Sequence, residues 1–321
     1  MSKMKNPIFS VIICTFNRSN ILKKAVQSLI DQSFESENFE IIVMDDGSKD
    51  NTRRVVKNFK IKYKEPSIRI FSNKNIGLAH SRNIGAKKAR GIYICYIDDD
   101  GVADRNWLKN AWQHIRSVKP TPQGITGPIL PYYLVKKPNW FKDLYEEDVK
   151  GNVARFLKYG EAFSGPNMIL KKEFIKNYGG FEESIDMRGE LLLLGEETRF
   201  FERIWEKDPQ SKMLYYSPKL VVYHLVHPYK MTLPYRLKRL FASGQSYYLR
   251  NKNKTPFKKL ILTIKVMLYF LVSLSLAPLL FLKYKIFQNW VIECIGPIIF
   301  TIGFFTSVSR LNIIMKHRSR L

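Results

Sequence analysis

Through the first hundred residues, short continuous apolar runs alternate with segments of helical period. Ile8–Cys14 (IFSVIIC), Phe39–Met44 (FEIIVM), Ile68–Phe71 and Ile92–Ile97 (IYICYI) are runs of strand length, and unbroken rather than alternating hydrophobicity predicts strands buried on both faces. Between them, Ile21, Leu22, Ala25, Val26, Leu29 and Ile30 line one face of a helix with Ser19 as its expected N-cap. Val55, Val56 and Phe59 mark a second helix, capped by Asp50 or Asn51, and Ile76–Ala89 a third. This alternation predicts an α/β fold with a mostly parallel central sheet and right-handed crossovers. Ligands of such sheets lie outside the carboxyl ends of the strands. Polar clusters stand at those ends: Thr15-Phe16-Asn17-Arg18, Asp45-Asp46-Gly47-Ser48 and Asp98-Asp99-Asp100.

The pattern changes near the C-terminus. Leu260–Leu282 is an apolar run broken only by Lys265, with a late Pro278; Trp290–Val308 contains one charge, Glu293, and Pro297. About 20 apolar residues span a bilayer as helix, so both runs are long enough. Their prolines and charges leave a re-entrant hairpin open as well. Just upstream, Leu233, Leu237, Leu240, Phe241 and Tyr248 recur at helical spacing among Arg236, Lys238 and Arg239. A basic amphipathic helix on an anionic leaflet and a surface helix packed on the preceding domain both fit that spacing.

Charge gives the hairpin an orientation. The chain has 321 residues, 53 Lys and Arg, 28 Asp and Glu, and a net charge of +25. Residues 231–321 carry 15 of the basic residues against Glu293 alone, a net of +14. A nucleic-acid-binding arm is polar, whereas this basic region flanks apolar runs, so no nucleic-acid partner is expected. Arg250, Lys252, Lys254, Lys258 and Lys259 precede the first run, Arg310, Lys316, Arg318 and Arg320 follow the second, and the loop between holds only Lys283 and Lys285. The positive-inside rule then makes both flanks cytoplasmic, against inner-leaflet anionic lipids. Met1–Pro7 is polar, so no secretory signal is expected, and residues 1–230 are expected in the cytosol. Three scattered cysteines, Cys14, Cys95 and Cys294, suit neither a disulfide framework nor a cysteine zinc site.

No glycine-rich dinucleotide or P-loop signature occurs. The sheet offers carboxylates instead. Three in a row at Asp98–Asp100 repel one another unless water or a cation compensates, so a hydrated turn and a site for Mg²⁺ or Mn²⁺ are both open from the residues alone.

SVIICTFNR (Ser10–Arg18), EIIVMDDGSKDNT (Glu40–Thr52), NIGLAHSRNIGAKKARG (Asn75–Gly91) and YIDDDGV (Tyr96–Val102) together resemble the family 2 glycosyltransferases. The resemblance continues through SGPNMILKKEFIKNYGGFEE (Ser164–Glu183), GEETRFFERI (Gly195–Ile204) and VVYHLVHP (Val221–Pro228). It implies the A-type glycosyltransferase fold of nucleotide-diphospho-sugar transferases. It places Thr15 and Phe16 beside the nucleotide base, Asp46 as acceptor of a hydrogen bond from that base, and Arg82 facing ribose and diphosphate. Asp45 then braces the turn. Asp98-x-Asp100 matches the metal motif, with Asp100 binding the cation directly and Asp98 or Asp99 contacting ribose or a metal-bound water. His224 matches a further metal ligand of some members, while His227 reads as ordinary. Glu197 corresponds to the catalytic base, in a segment where Glu196-Glu197 stands for the usual Glu-Asp pair, so Glu196 competes for the role. Gly180, in Gly179-Gly180-Phe181, matches a turn beside the donor sugar.

The resemblance thus implies an inverting, metal-dependent hexosyl transfer from a nucleotide-diphospho-sugar, UDP-linked, and the apolar hairpin against the inner leaflet suggests as acceptor a hydroxyl of a lipid-linked saccharide or glycolipid. The segment Thr121–Gly160 is expected to shape the acceptor side. Residues 1–230 form the catalytic domain, 231–256 the interfacial helix and linker, 257–310 two transmembrane or re-entrant helices, and 311–321 a basic cytoplasmic tail. The competing readings are a sugar-nucleotidyltransferase, whose glycine-rich basic signature SVIICTFNR lacks, and an inactive membrane adaptor, which would have lost some of Asp46, Asp98, Asp100 and Glu197.

Overall fold

The computed structural model describes residues 6–183, 195–252 and 254–309. The expected basic tail, with Arg310, and the polar residues before Asn6 lie outside them. The chain forms two compact units, one of residues 6–132, 146–183 and 196–225 and the other of 133–145, 195, 226–252 and 254–309.

The first unit opens with strands β1 (Phe9–Thr15), β2 (Phe39–Asp45), β3 (Ser67–Ser72) and β4 (Tyr93–Asp98), connected by helices α1 (Ser19–Ile30), α2 (Thr52–Lys62) and α3 (Leu78–Lys88). These follow the sequence expectation closely. The chain continues through β5 (Gly101–Ala103), α4 (Trp107–Ser117), β6 (Gly124–Thr126), β7 (Ile129–Tyr132), β8 (Arg155–Phe156), β9 (Met168–Lys171), α5 (Lys172–Asn177), α6 (Glu196–Lys207), β10 (Leu214–Tyr216) and β11 (Val222–Leu225). An eight-stranded sheet runs β3-β2-β1-β4-β9-β6-β10-β8, and a small second sheet runs β5-β11-β7. Within the large sheet, β9 and β8 are antiparallel to their neighbours.

Successive side chains of a strand point to opposite faces, which explains why the runs are apolar throughout. Val11, Ile13, Ile41, Val43, Cys95 and Ile97 pack beneath Leu22, Val26 and Leu29 of α1 and Trp107 and Leu108 of α4. Ile12, Ile42, Met44, Ile94 and Tyr96 pack against Ala79 and Ala86 of α3 and Phe200, Phe201 and Ile204 of α6. Each buried Val, Leu, Ile, Phe or Met side chain among these contributes about 1.5–3 kcal/mol.

The expected Ser19 cap is not made. Ser19 is the first helical residue, and its backbone N–H donates to Asp50 Oδ2 at 2.8 Å. Asp50 Oδ1 accepts from the Thr52 backbone N–H at 3.0 Å. One carboxylate therefore serves the N-termini of both α1 and α2, where orphan N–H groups and the helix dipole favour negative charge.

The second unit contains α7 (Leu233–Asn251), α8 (Pro256–Leu280), α9 (Phe287–Trp290) and α10 (Gly296–Val308), with one π-helical turn, Val291–Ile295, between the last two. The amphipathic stretch upstream of the hairpin is α7, and it packs against α10. A Cβ on Gly244 of α7 would lie 1.9 Å from the Phe300 carbonyl oxygen, and one on Gly303 of α10 would lie 2.1 Å from that of Phe241. Only glycine permits this backbone approach. Both apolar runs are helical as expected. Pro297 falls at the start of α10, directly after the π turn, and Pro278 lies inside α8. A small aromatic cluster around Phe141, Val226 and Met231 holds residues 133–145 within this unit.

Candidate active site

The sheet order places the topological switch between β1 and β4. Their register pairs Cys14 with Asp98, so Thr15, Phe16 and the three aspartates emerge together at the carboxyl end. The small sheet then delivers a distant residue. His224 of β11 is paired with Gly101, and the Leu225 N–H donates to the Asp100 carbonyl at 2.9 Å. As a result His224 Nε2 lies 2.9 Å from Asp100 Oδ1 and 3.9 Å from Asp98 Oδ2.

One ligand atom each from Asp98, Asp100 and His224 lies within 4.8 Å of the others. Two carboxylates and an imidazole converging in this way form a donor set suited to Mg²⁺ or Mn²⁺. Asp99 is not part of that group. It is buried, accepts from Thr15 Oγ1 at 2.7 Å, and accepts from Arg18 Nη1 at 2.8 Å. Burial raises its pKa, with Arg18 opposing that rise. Thr15, also buried, spends its hydroxyl on this contact. Both act here as braces. Arg18 Nη1 reaches Asp100 Oδ2 as well, at 3.1 Å, so one guanidinium spans the two aspartates. Phe16 follows at the end of β1, partly exposed.

Arg82 is not a surface residue of α3. It is 3% exposed, donating from Nη2 to Asp98 Oδ1 at 3.2 Å and from Nη1 to Glu196 Oε1 at 2.8 Å. Burial opposes its charge, but Glu196, Asp98 and Glu197 together hold its pKa above the ordinary value. Glu196 and Glu197 open α6, and both Glu196 and its Arg82 contact are buried. Burial first, then the neighbouring Glu197, push the Glu196 carboxyl well above its usual range, with Arg82 pulling the other way. Glu197 is less enclosed, and its Oε2 is buried without a hydrogen-bond partner among the described residues. Gly165 makes room for both groups: a Cβ there would lie 2.6 Å from Arg82 Nη2 and 3.1 Å from Glu197 Oε1.

Asp45 braces its turn as expected, accepting from the Ser48 N–H at 2.8 Å and from Arg53 Nε at 3.2 Å. Asp46 is 7% exposed, and its two oxygens accept from the Ile76 and Gly77 N–H groups at 2.9 and 3.0 Å, tying the turn to the entrance of α3. Burial raises its pKa against those hydrogen bonds. A nucleotide base would therefore meet a carboxylate already engaged on each oxygen. Gly179 and Gly180 have φ of +77° and +68°, a region side chains disfavour. Next in sequence, Phe181 is clamped to α3 by Asn83, which accepts from the Phe181 N–H and donates to its carbonyl, both at 2.9 Å.

Arg18 and Gly165 carried no role in the sequence reading, although both stand in motifs quoted there. The signal for Arg18 was a cation in the polar cluster that follows β1. Gly165 had no sequence signal beyond being a glycine.

Comparison with known proteins adds to this geometry. The profile of the family described as "Glycosyl transferase family 2" matches residues 10–178. A glucosyl-dolichyl phosphate glucuronosyltransferase of Haloferax volcanii is 23% identical over 242 residues, 74% of this chain and 75% of that protein. A GalNAc(5)-diNAcBac-PP-undecaprenol beta-1,3-glucosyltransferase of Campylobacter jejuni is 40% identical over 96 residues, 29% of this chain and 30% of that one. Other relatives are matched over only 14–55% of their own length. Among solved structures, the mannosyltransferase PcManGT of Pyrobaculum calidifontis, in complex with GDP-Man and Mn²⁺, superposes with a TM-score of 0.65 over 95% of this chain and 88% of its own, at 16% identity. That likeness establishes the A-type glycosyltransferase fold. With more than half of the sequence matched by the family profile and the carboxylate site at the expected strand ends, the chain belongs to glycosyl transferase family 2.

Proposed function

We propose that this glycosyltransferase moves a sugar from a nucleotide-diphospho-sugar, UDP-linked, to a hydroxyl of a lipid-linked saccharide, inverting the anomeric centre and depending on Mg²⁺ or Mn²⁺. The observation that carries this reading is the span of Arg82, which bonds Asp98 of the candidate metal group and Glu196 beside the candidate base. Asp98, Asp100 and His224 would hold the ion. When bound, a divalent ion offsets the negative charge that develops on a departing nucleoside diphosphate.

The protein's own groups supply the remaining chemistry. Glu197 Oε2, buried and unpartnered among the described residues, is suited to take the proton of the acceptor hydroxyl. The acceptor oxygen then bonds to the anomeric carbon as the bond to the diphosphate oxygen breaks, and a single base on the far face gives inversion without a covalent intermediate. General-base assistance of this kind is worth on the order of 10²–10⁴-fold. Glu196, with its pKa raised and Arg82 on its Oε1, serves to position Arg82 and Glu197. Thr15, Asp99 and Arg18 hold Asp100 in place, while Phe16, Asp46 and Gly180 border the donor.

The lipid-linked acceptor is supported by two relatives whose names specify dolichyl- and undecaprenol-linked saccharides and by the long apolar helices of the second unit. The basic flanks of those helices support a cytosolic active site at the cytoplasmic membrane. The test uses the full chain in detergent with a panel of nucleotide-diphospho-sugars, read first by thermal shift with and without Mn²⁺ and then by radiolabel transfer. The expected result is Mn²⁺-dependent label in a membrane lipid extract. Turnover insensitive to chelator, or equal labelling of soluble sugars and proteins, would contradict the proposal.

A further inference from the structure

The two apolar helices have the length of a transmembrane hairpin, but the polar contacts at their junction point to a different arrangement. Tyr284 precedes α9, and Glu293 lies in the π turn that follows it. Tyr284 Oη donates to Glu293 Oε2 at 2.9 Å. Two residues from the middle of the chain meet the same spot. Lys142 Nζ forms an ion pair with Glu293, and Tyr145 Oη lies 3.0 Å from Asn289 Oδ1 and 3.2 Å from Glu293 Oε1, sharing its one proton between them. The hairpin tip is therefore bonded to residues 142 and 145.

Those residues have no route across a bilayer. Tyr132, the last residue of β7, immediately precedes the segment. Asp148, three residues beyond Tyr145, exchanges backbone hydrogen bonds of 3.0 Å with Ile129 of the same strand. Three residues of extended chain reach about 11 Å, whereas the hydrocarbon core is about 30 Å thick. Among the described residues, helices long and apolar enough to cross occur only at Pro256–Lys283 and Phe287–Val308. A hairpin that crossed fully would carry Asn289 and Glu293 to the far face, away from Lys142 and Tyr145.

The charges agree. Lys283 and Lys285 stand at the far end of α8, and Lys252, Lys254, Lys258 and Lys259 at its near end, so both ends are basic. Cations at both ends of α8 can therefore pair with the headgroups of one anionic leaflet. Lys265 is exposed partway along α8. A few residues beyond Lys259, its long side chain can reach back to the headgroups of the leaflet that α8 enters. The exposed apolar side chains of α8, among them Leu260, Met267, Leu271 and Leu279, still need an apolar surrounding.

We infer that α8 and α10 enter a single leaflet and return, so that the hairpin tip lies at the same membrane face as the catalytic unit. The partner surface is one leaflet rich in anionic lipid, with acyl chains against α8 and headgroups against the lysines at both its ends and at Lys265. This goes beyond the catalytic proposal and does not depend on it.

The test is sidedness of labelling for the full chain in sealed membrane vesicles of both orientations. Lys285→Cys at the tip is compared with Lys57→Cys on exposed α2, using a membrane-impermeant maleimide and the wild type as background. Both cysteines are expected to label in the same vesicle orientation. Labelling of Lys285→Cys in the opposite orientation, or only after detergent, would overturn the inference. A second measurement guards against misfolded variants: Lys142→Cys with Glu293→Cys is expected to form an intrachain bismaleimide cross-link in intact membranes. Failure to cross-link, while each single cysteine labels, would also overturn it.

Discussion

Replacing Arg82 by Met removes the cation that, among the described residues, touches both Asp98 and Glu196. The side chain is 3% exposed and lies 2.8 Å from Glu196 Oε1. At that distance a pair of unit charges interacts by roughly 6 kcal/mol at an effective dielectric constant of about 20. The net loss is smaller, because Glu196 can take up a proton; breaking a buried pair from one side costs about 3–5 kcal/mol. For a unit of this size that corresponds to a fall in Tm of roughly 10 °C. The pH dependence has a defined sign. Glu196 already titrates well above its ordinary 4.5, chiefly through burial and then Glu197. A carboxyl raised in the folded state contributes stability below its unfolded pKa, and that contribution is lost as pH rises through the folded value. Without Arg82 the folded value rises further, so the deficit of Arg82→Met should widen from pH 5.5 to pH 8. Adding Glu196→Gln removes the stranded charge and should recover most of the loss. Thermal unfolding of the full chain in detergent at the two pH values, for both single variants and the double, completes the cycle. A Tm within about 2 °C of wild type at both pH values, or a double variant no better than Arg82→Met, would refute this account of the buried pair.

Other consequences follow from single sites. Asp100→Asn should weaken Mn²⁺ binding by at least about tenfold, read by titration of free Mn²⁺, because one hard anionic ligand becomes a neutral amide. Gly244→Val should separate α7 from α10, since even its Cβ would overlap the Phe300 carbonyl; an overpacking cost of about 1–3 kcal/mol or more should appear as faster proteolysis of the C-terminal unit. Arg155 holds Glu161 in a two-pronged pair at 2.6 and 2.7 Å, taking its pKa down to about 2. A depressed carboxyl stabilises the fold above its unfolded pKa and loses that contribution as pH falls through the folded one. Glu161→Gln should therefore cost on the order of 2 kcal/mol at pH 7, allowing for partial exposure, and the difference from wild type should shrink between pH 5 and pH 2.

The first four strands were legible in the sequence because a sheet covered on both faces needs unbroken apolar runs, and those runs were short and bounded by polar clusters. The aspartates were legible as a cluster, but their division of labour was not. Around the end of β4, Asp98 and Asp100 join His224, while Asp99 turns to Thr15 and Arg18. His224 meets them because β11 pairs with β5, a register between segments more than a hundred residues apart that local pattern does not encode. The Ser19 cap was misread for a similar reason: the acceptor, Asp50, arrives from the next connection along the sheet. The resemblance gave Arg82 a place facing ribose and diphosphate, but not its bond to Glu196, which comes from over a hundred positions away. Helix α7 has the spacing of an interfacial helix, and Gly244 and Gly303 were the unread sign that it also packs closely on α10.

The central claim is that Glu197 is the base of a glycosyl transfer whose donor is held elsewhere in the site. Its most direct test compares turnover and donor affinity for Glu197→Gln in the full chain, with Mn²⁺ and the donor that the binding panel selects. The account predicts a fall in kcat of about 10²–10⁴-fold with donor Kd unchanged. Turnover near the wild-type rate with unchanged donor affinity would remove Glu197 from the mechanism.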